Sequence, residues 1–137
     1  MTVPVRTPGE VQALQILVVD DSAMMRQLIK RAVAASGLPI AAIFEAADGR
    51  QALDVLAQQH VDALLTDINM PVMTGIELLR AIAGDSRWLD LVRIIISTDG
   101  SDSRRAEASA LGVQHYVEKP FRPEVMRDVL AALTTTP

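Results

Sequence analysis

Five short apolar runs, each followed by a stretch with helical periodicity, constrain this chain more than any other feature. Leu14 to Val19, Ile40 to Glu45, Asp62 to Thr66, Arg93 to Ile96 and Val113 to Val117 are each too short for a buried helix and rich in Val, Ile and Leu. Strands buried on both faces read as such continuous runs, and alternation with helices is the pattern of βαβ units around a parallel sheet. An α/β domain with the sheet at its centre is therefore predicted. Helices cover both faces.

The intervening segments carry their own start and stop signals. Ser22 offers an N-cap oxygen, and Met25, Leu28, Ile29, Ala32 and Val33 form one apolar stripe before Gly37 ends the helix. Asp48 or Gly49 opens a second helix bearing Ala52, Val55 and Leu56. Thr74 and Glu77 have capping-box spacing at the head of a third, which runs to about Ala83. The stretch from Gly84 to Leu91 reads as a loop with Trp88 packed over the helix ends. Ser103 to Leu111 predicts a fourth helix with hardly any large apolar residue, hence weakly anchored. Pro123 lies in the first turn of the last helix, whose inner face is Met126, Val129, Leu130 and Leu133. Residues 13–133 then form one domain, between a loose N-terminal extension 1–12 and a short tail 134–137.

Composition narrows the function classes. The formal net charge of −4 argues against a nucleic-acid surface, which needs clustered Lys and Arg. The adjacent pair Arg104-Arg105 is explained by a solvated helix face. There is no cysteine, so neither a disulfide framework nor a thiolate metal site is available. No segment approaches the ~18 consecutive apolar residues of a membrane helix, and the first ten residues lack the apolar core of a signal peptide. A cytoplasmic protein is expected.

The chemistry lies where the apolar runs stop. Asp20 and Asp21 follow the first, Asp67 the third, Ser97 the fourth, and Lys119-Pro120 the fifth. In open α/β sheets ligands bind beyond the strands' carboxyl ends, so these groups converge on one edge. Two unit charges ~4 Å apart repel by roughly 4 kcal/mol at an effective dielectric of 20, so three carboxylates there require a cation. Oxygen-only ligands of high charge suit Mg²⁺, which keeps positions open for water and phosphate oxygens. Asp67 is then placed to attack phosphorus and form an aspartyl phosphate, with Lys119 and the Ser97 hydroxyl meeting charge on the transferring oxygens. Taken singly, an acidic pair after a strand is often a turn with a cap, and Lys before Pro an exposed turn residue. Their joint order favours the site.

The segments Val18-Val19-Asp20-Asp21-Ser22, Leu65 to Gly75, Ile94 to Thr98 and Val117 to Phe121 resemble the receiver domain of bacterial two-component response regulators, and the likeness runs from about Gln15 to Leu133. The resemblance implies a flavodoxin-like sheet in the order 2-1-3-4-5 and phosphorylation on aspartate by a histidine kinase with bound Mg²⁺. It implies that Asp67 is the phosphoacceptor, that Asp20, Asp21 and the backbone carbonyl of Asn69 bind the metal with Asp67, and that Lys119 is the family's lysine. Ser97 matches the switch hydroxyl and Tyr116 the aromatic that turns inward on activation, reshaping the face made by the fourth helix, fifth strand and fifth helix, where a downstream target would dock. Asn69, Thr98 and Asp99 occupy positions that tune phosphoryl lifetime. Thr98 departs from the usual Ala or Gly and narrows the approach for water or for bulky donors. The opening Asp-Asp-Ser-Ala-Met-Met-Arg and the stretch Ser-Thr-Asp-Gly are most similar to chemotaxis-type, CheY-like single-domain regulators, which a phosphatase can serve to reset. A phosphorelay intermediate or phosphate sink is the alternative. An aspartyl-nucleophile, Mg²⁺-dependent phosphohydrolase is disfavoured, because Asn69 stands where such enzymes place a second acid, and a non-enzymatic role is expected.

Overall fold

The structure is a computed structural model that describes residues 13–133; the expected loose ends, 1–12 and 134–137, lie outside the described residues. Five strands and five helices alternate: β1 (Leu14–Val19), α1 (Ala23–Ala34), β2 (Ile40–Ala46), α2 (Gly49–Gln58), β3 (Ala63–Thr66), α3 (Gly75–Ile82), β4 (Val92–Ser97), α4 (Asp102–Ala110), β5 (Val113–Glu118) and α5 (Pro123–Ala131). All neighbouring strands pair in parallel, in the order β2-β1-β3-β4-β5. This is the flavodoxin-like topology that the motifs imply.

Side-chain alternation divides the interior into two layers. Leu17, Val19, Leu64 and Ile95 face α2 and α3, meeting Ala52, Leu56, Ile76 and Leu79. Ile16, Val18, Leu65, Ile94 and Ile96 face the other way onto Ile29 and Val33 of α1 and Met126 and Leu130 of α5. Burying one such side chain stabilises the fold by roughly 1.5 to 3 kcal/mol, so the three central strands are the rigid part. The fourth helix contributes only Ala108 to the core.

The predicted caps form. Ser22 accepts from the Met25 amide at 3.2 Å and Asp48 from the Gln51 amide at 2.9 Å. Thr74 and Glu77 make both halves of a capping box. The last helix has no side-chain cap bond and starts instead on Pro123, whose missing N–H would have been unpaired there.

Four local expectations are corrected. Leu28 is not core: it is 45% exposed, because the α1 stripe is wider than the sheet and α5 can cover. The third strand starts at Ala63 rather than Asp62, whose carboxylate, in place of a backbone carbonyl, accepts from the Gln15 amide at 2.7 Å while its own amide donates to the Gln15 carbonyl at 2.8 Å. The fourth strand runs through Ser97, since the Ser97 carbonyl still accepts from the Lys119 amide at 2.8 Å. Inside the 84–91 loop, Ser86–Trp88 form a 3₁₀ turn. That turn is held by a buried arginine that sequence reading passed over: Arg93 donates through Nη1 to the Leu91 carbonyl at 2.9 Å and through Nη2 to the Trp88 carbonyl at 3.1 Å. Burial lowers the Arg93 pKa, and its Nε has no partner among the described residues.

Candidate functional site

The strands all end on one edge, and their ends deliver the polar residues there. Asp20 and Asp21 directly follow β1, Asp67 follows β3, Ser97 closes β4, and Lys119 follows β5. Carboxylate oxygens of Asp20, Asp21 and Asp67 lie within 4.8 Å of one another. Asp20 is buried, Asp67 half-buried and Asp21 exposed, so the cluster opens to solvent on one side.

The Lys119 ammonium bridges two of the three acids, 2.8 Å from Asp20 Oδ2 and 3.2 Å from Asp67 Oδ2. Burial alone would push the lysine pKa down. The hydrogen bond to Asp20 and the negative charges of Asp67 and Asp20 outweigh it and hold that pKa above its ordinary value. The other oxygen of Asp67, Oδ1, accepts from the Ile68 amide at 2.7 Å, and the other oxygen of Asp20 accepts from the Ser22 amide at 2.9 Å. The carboxylates of Asp20 and Asp67 are thus each held at both oxygens. Among the described residues one ammonium reaches these carboxylates, with the Arg26 guanidinium on the Asp20 backbone carbonyl at 2.7 Å, which leaves the three acids with excess negative charge, and a hard divalent cation is what an oxygen-only set of this kind accommodates.

The backbone beneath Asp67 is tightly fitted. The Gly75 amide donates to the Ile68 carbonyl at 2.8 Å, and a Cβ on Gly75 would collide with the Asp67 carbonyl oxygen. Only glycine lets α3 start so close under the loop. Asn69 sits exposed in that loop two residues after Asp67, followed by Val72, which holds a left-handed φ of 66° that β-branched residues avoid.

On the other side of the cluster, Ser97 is fully buried and its hydroxyl accepts from the Asp99 amide at 3.1 Å. Thr98 is exposed at the rim. Half-buried Tyr116 packs against the core, and its hydroxyl donates to the Asp99 backbone carbonyl within reach of Ser97. Burial raises the Tyr116 pKa, reinforced by the charge of Asp99 and opposed by Arg105 and Arg104. Among the described residues no hydrogen bond joins Ser97 or Asn69 to the acidic cluster, whereas Asp20, Asp21, Asp67 and Lys119 are brought together as expected.

Residues 16–131 match the response regulator receiver domain family. The chain belongs to that family. It is 36% identical over 124 residues to the chemotaxis protein CheY1 of Helicobacter pylori, covering 90% of this chain and 98% of that protein. It is 40% identical over 115 residues to the chemotaxis protein CheY of Pseudomonas aeruginosa, covering 84% of this chain and 91% of that one. The fold superposes on the chemotaxis response regulator CheY4 of Vibrio cholerae with a TM-score of 0.78 at 31% identity, over 89% of this chain and 99% of that one. Among the described residues of this receiver, no helix is long and apolar enough to cross a membrane.

Sequence reading missed the partners of Tyr116. Arg104-Arg105 does lie on a solvated helix face, but with partners there that the sequence does not announce: Arg104 pairs with Glu107 at 2.8 Å and Asp99 at 3.4 Å, while the Arg105 guanidinium lies 4.6 Å from the Tyr116 ring centroid. Gly75 was the one readable signal passed over, a glycine directly after a capping threonine.

Proposed function

We propose that this chain is a phosphorylation-activated signalling protein of the chemotaxis type, in which Asp67 accepts a phosphoryl group from a histidine kinase. The observation that carries this reading is the single lysine bridging Asp20 and Asp67 within a three-carboxylate cluster. In the transfer, the bond from phosphorus to the donor histidine nitrogen breaks as a bond to an Asp67 carboxylate oxygen forms. Asp20, Asp21, Asp67 and the Asn69 carbonyl would hold Mg²⁺, which neutralises charge on the transferring oxygens when bound. Lys119 exchanges its hold on Asp67 for one on the phosphoryl group. Ser97 is the switch hydroxyl: to reach the new oxygens it releases the Asp99 amide, and the β4–α4 loop follows.

Tyr116 reads that movement through its bond to the Asp99 carbonyl. The face of α4, β5 and α5 is then the surface offered to a downstream target, and a phosphatase resets the cycle. Thr98, at the rim, and Asn69 and Asp99 set the phosphoryl lifetime. Chemotaxis signalling is favoured because the matched relatives are chemotaxis proteins aligned over nearly their whole length. The protein acts stoichiometrically, in the cytoplasm, and not as an enzyme turning over a substrate, and residues 13–133 are its receiver domain.

The test is to incubate wild type and Asp67→Asn with Mg²⁺ and acetyl phosphate and weigh the intact proteins. Wild type gains one phosphoryl group and the variant none. Equal labelling of both would show that another residue is the acceptor.

A further inference from the structure

Arg105 sits in the first turns of a helix that buries only Ala108, yet its side chain makes three directed contacts at once. Its Nε donates to the Gly100 carbonyl at 3.0 Å, its guanidinium carbon lies 4.6 Å from the Tyr116 ring centroid, and its Nη2 is 3.8 Å from Glu118 Oε1. The tyrosine is thereby enclosed. Its hydroxyl is tied to residue 99, and its solvent side is covered by a group tied to residue 100.

We propose that Arg105 is a positioning residue that holds Tyr116 and the β4–α4 loop in the inward arrangement before any phosphoryl group arrives. This rests on the reading of Tyr116 as the switch aromatic. The physical argument is geometric. A planar guanidinium stacks on a ring face while still donating in its own plane, and an ammonium, a compact point charge, does not do both. Glu118 steers the guanidinium from the far side, and because Glu118 precedes Lys119 the contact runs from the helix to the strand end that carries the site lysine. With so little apolar anchorage, α4 depends on such polar contacts, among them Arg80 of α3 to Glu107 at 2.9 Å and Arg104 to Asp99 at 3.4 Å. Phosphorylation would then complete an inward bias that this chain already carries.

Tyr116 is the only tyrosine, so fluorotyrosine labelling reports its ring as one ¹⁹F signal, and Trp88, the only tryptophan, reports the fold independently. In Mg²⁺ without a phosphoryl analogue, Arg105→Ala should move the inward-to-outward ratio of Tyr116 two- to fivefold toward outward, the equivalent of about 0.5 to 1 kcal/mol. Arg105→Lys keeps the charge and nearly the same helix propensity, so a role in net charge or helix stability would leave it like wild type. At least half of the alanine effect is expected instead. An unmoved Tyr116 signal in Arg105→Ala, or a lysine variant identical to wild type, would overturn the proposal. If the alanine variant fails to fold by its Trp88 signal, the lysine variant alone decides. Adding beryllofluoride separates this from the underlying reading: a wild type whose Asp67 amide does not respond refutes the phosphoacceptor assignment, whereas the Arg105 effect is read without the analogue.

Discussion

Replacing Lys119 by methionine keeps the length of the side chain and removes the ammonium that bridges two acids of the cluster. At an effective dielectric of about 20, the 2.8 Å contact to Asp20 is a gross attraction of about 6 kcal/mol and the 3.2 Å contact to Asp67 one of about 5 kcal/mol. Desolvation of the ammonium offsets much of this, and removing one partner of a buried pair typically costs about 3 to 5 kcal/mol. Since Asp21 is exposed and water reaches the cluster from that side, the lower end, about 3 kcal/mol, is expected in chelator at neutral pH, or roughly 10 °C in Tm. Mg²⁺ should return more stability to the variant than to wild type, because the metal no longer shares its ligands with an ammonium; tenfold tighter binding adds about 1.4 kcal/mol at a given excess of metal. The pH dependence has a definite sign. The Lys119 pKa is raised in the fold, so its contribution is complete below the ordinary lysine value of 10.5 and fades as pH climbs through the higher folded value. The gap between wild type and variant therefore closes above about pH 10.5. Urea unfolding with and without Mg²⁺, near neutral pH and again near pH 11, measures all three. A variant as stable as wild type in chelator, or one that binds Mg²⁺ more weakly, would refute the view that Lys119 stands in for missing positive charge.

Gly75→Ala should displace the backbone at Asp67, because the collision is with a carbonyl and not with a flexible side chain. A loss of about 2 kcal/mol in denaturation and slower labelling by acetyl phosphate are expected. Val72→Gly should be stabilising by about 0.5 to 1 kcal/mol, the relief of a left-handed φ less the chain entropy that glycine adds to the unfolded state; unchanged or lower stability would mean that the turn carries no strain. Thr98→Ala, by clearing the rim, should hasten loss of the phosphoryl group several-fold in a phosphate-release assay, and slower decay would count against the steric argument.

The central strands and the acids at their ends were legible in the sequence because both depend on local pattern: Ile16 to Val19 must be buried on both faces, and the acids that succeed them must lie at the sheet's carboxyl edge. Caps at Ser22, Asp48 and Thr74 were legible for the same reason, since a cap is decided within four residues. What sequence did not disclose depends on contacts between distant segments. Leu28 fits the helical stripe and is left exposed by the position of α5. The engagement of Arg105 with Tyr116 and Glu118 exists only once α4 has docked beside β5, and nothing in a run of Arg and Ser announces it. Asp62 shows a further case, a residue just ahead of the strand whose carboxylate adds an acceptor for the Gln15 amide that the strand pattern does not announce.

The sparse anchorage of α4 bears on how such a protein diversifies. Only Ala108 of its nine residues lies in the core, and apart from Arg104, Arg105 and Glu107, whose side chains tie the helix to its neighbours, the rest can be exchanged without opening a cavity or disturbing the strands that set the acid cluster. A lineage could thus re-address its signal to a new recipient by drift on one helix while the phosphoryl chemistry, set on the buried strands, stays as it was.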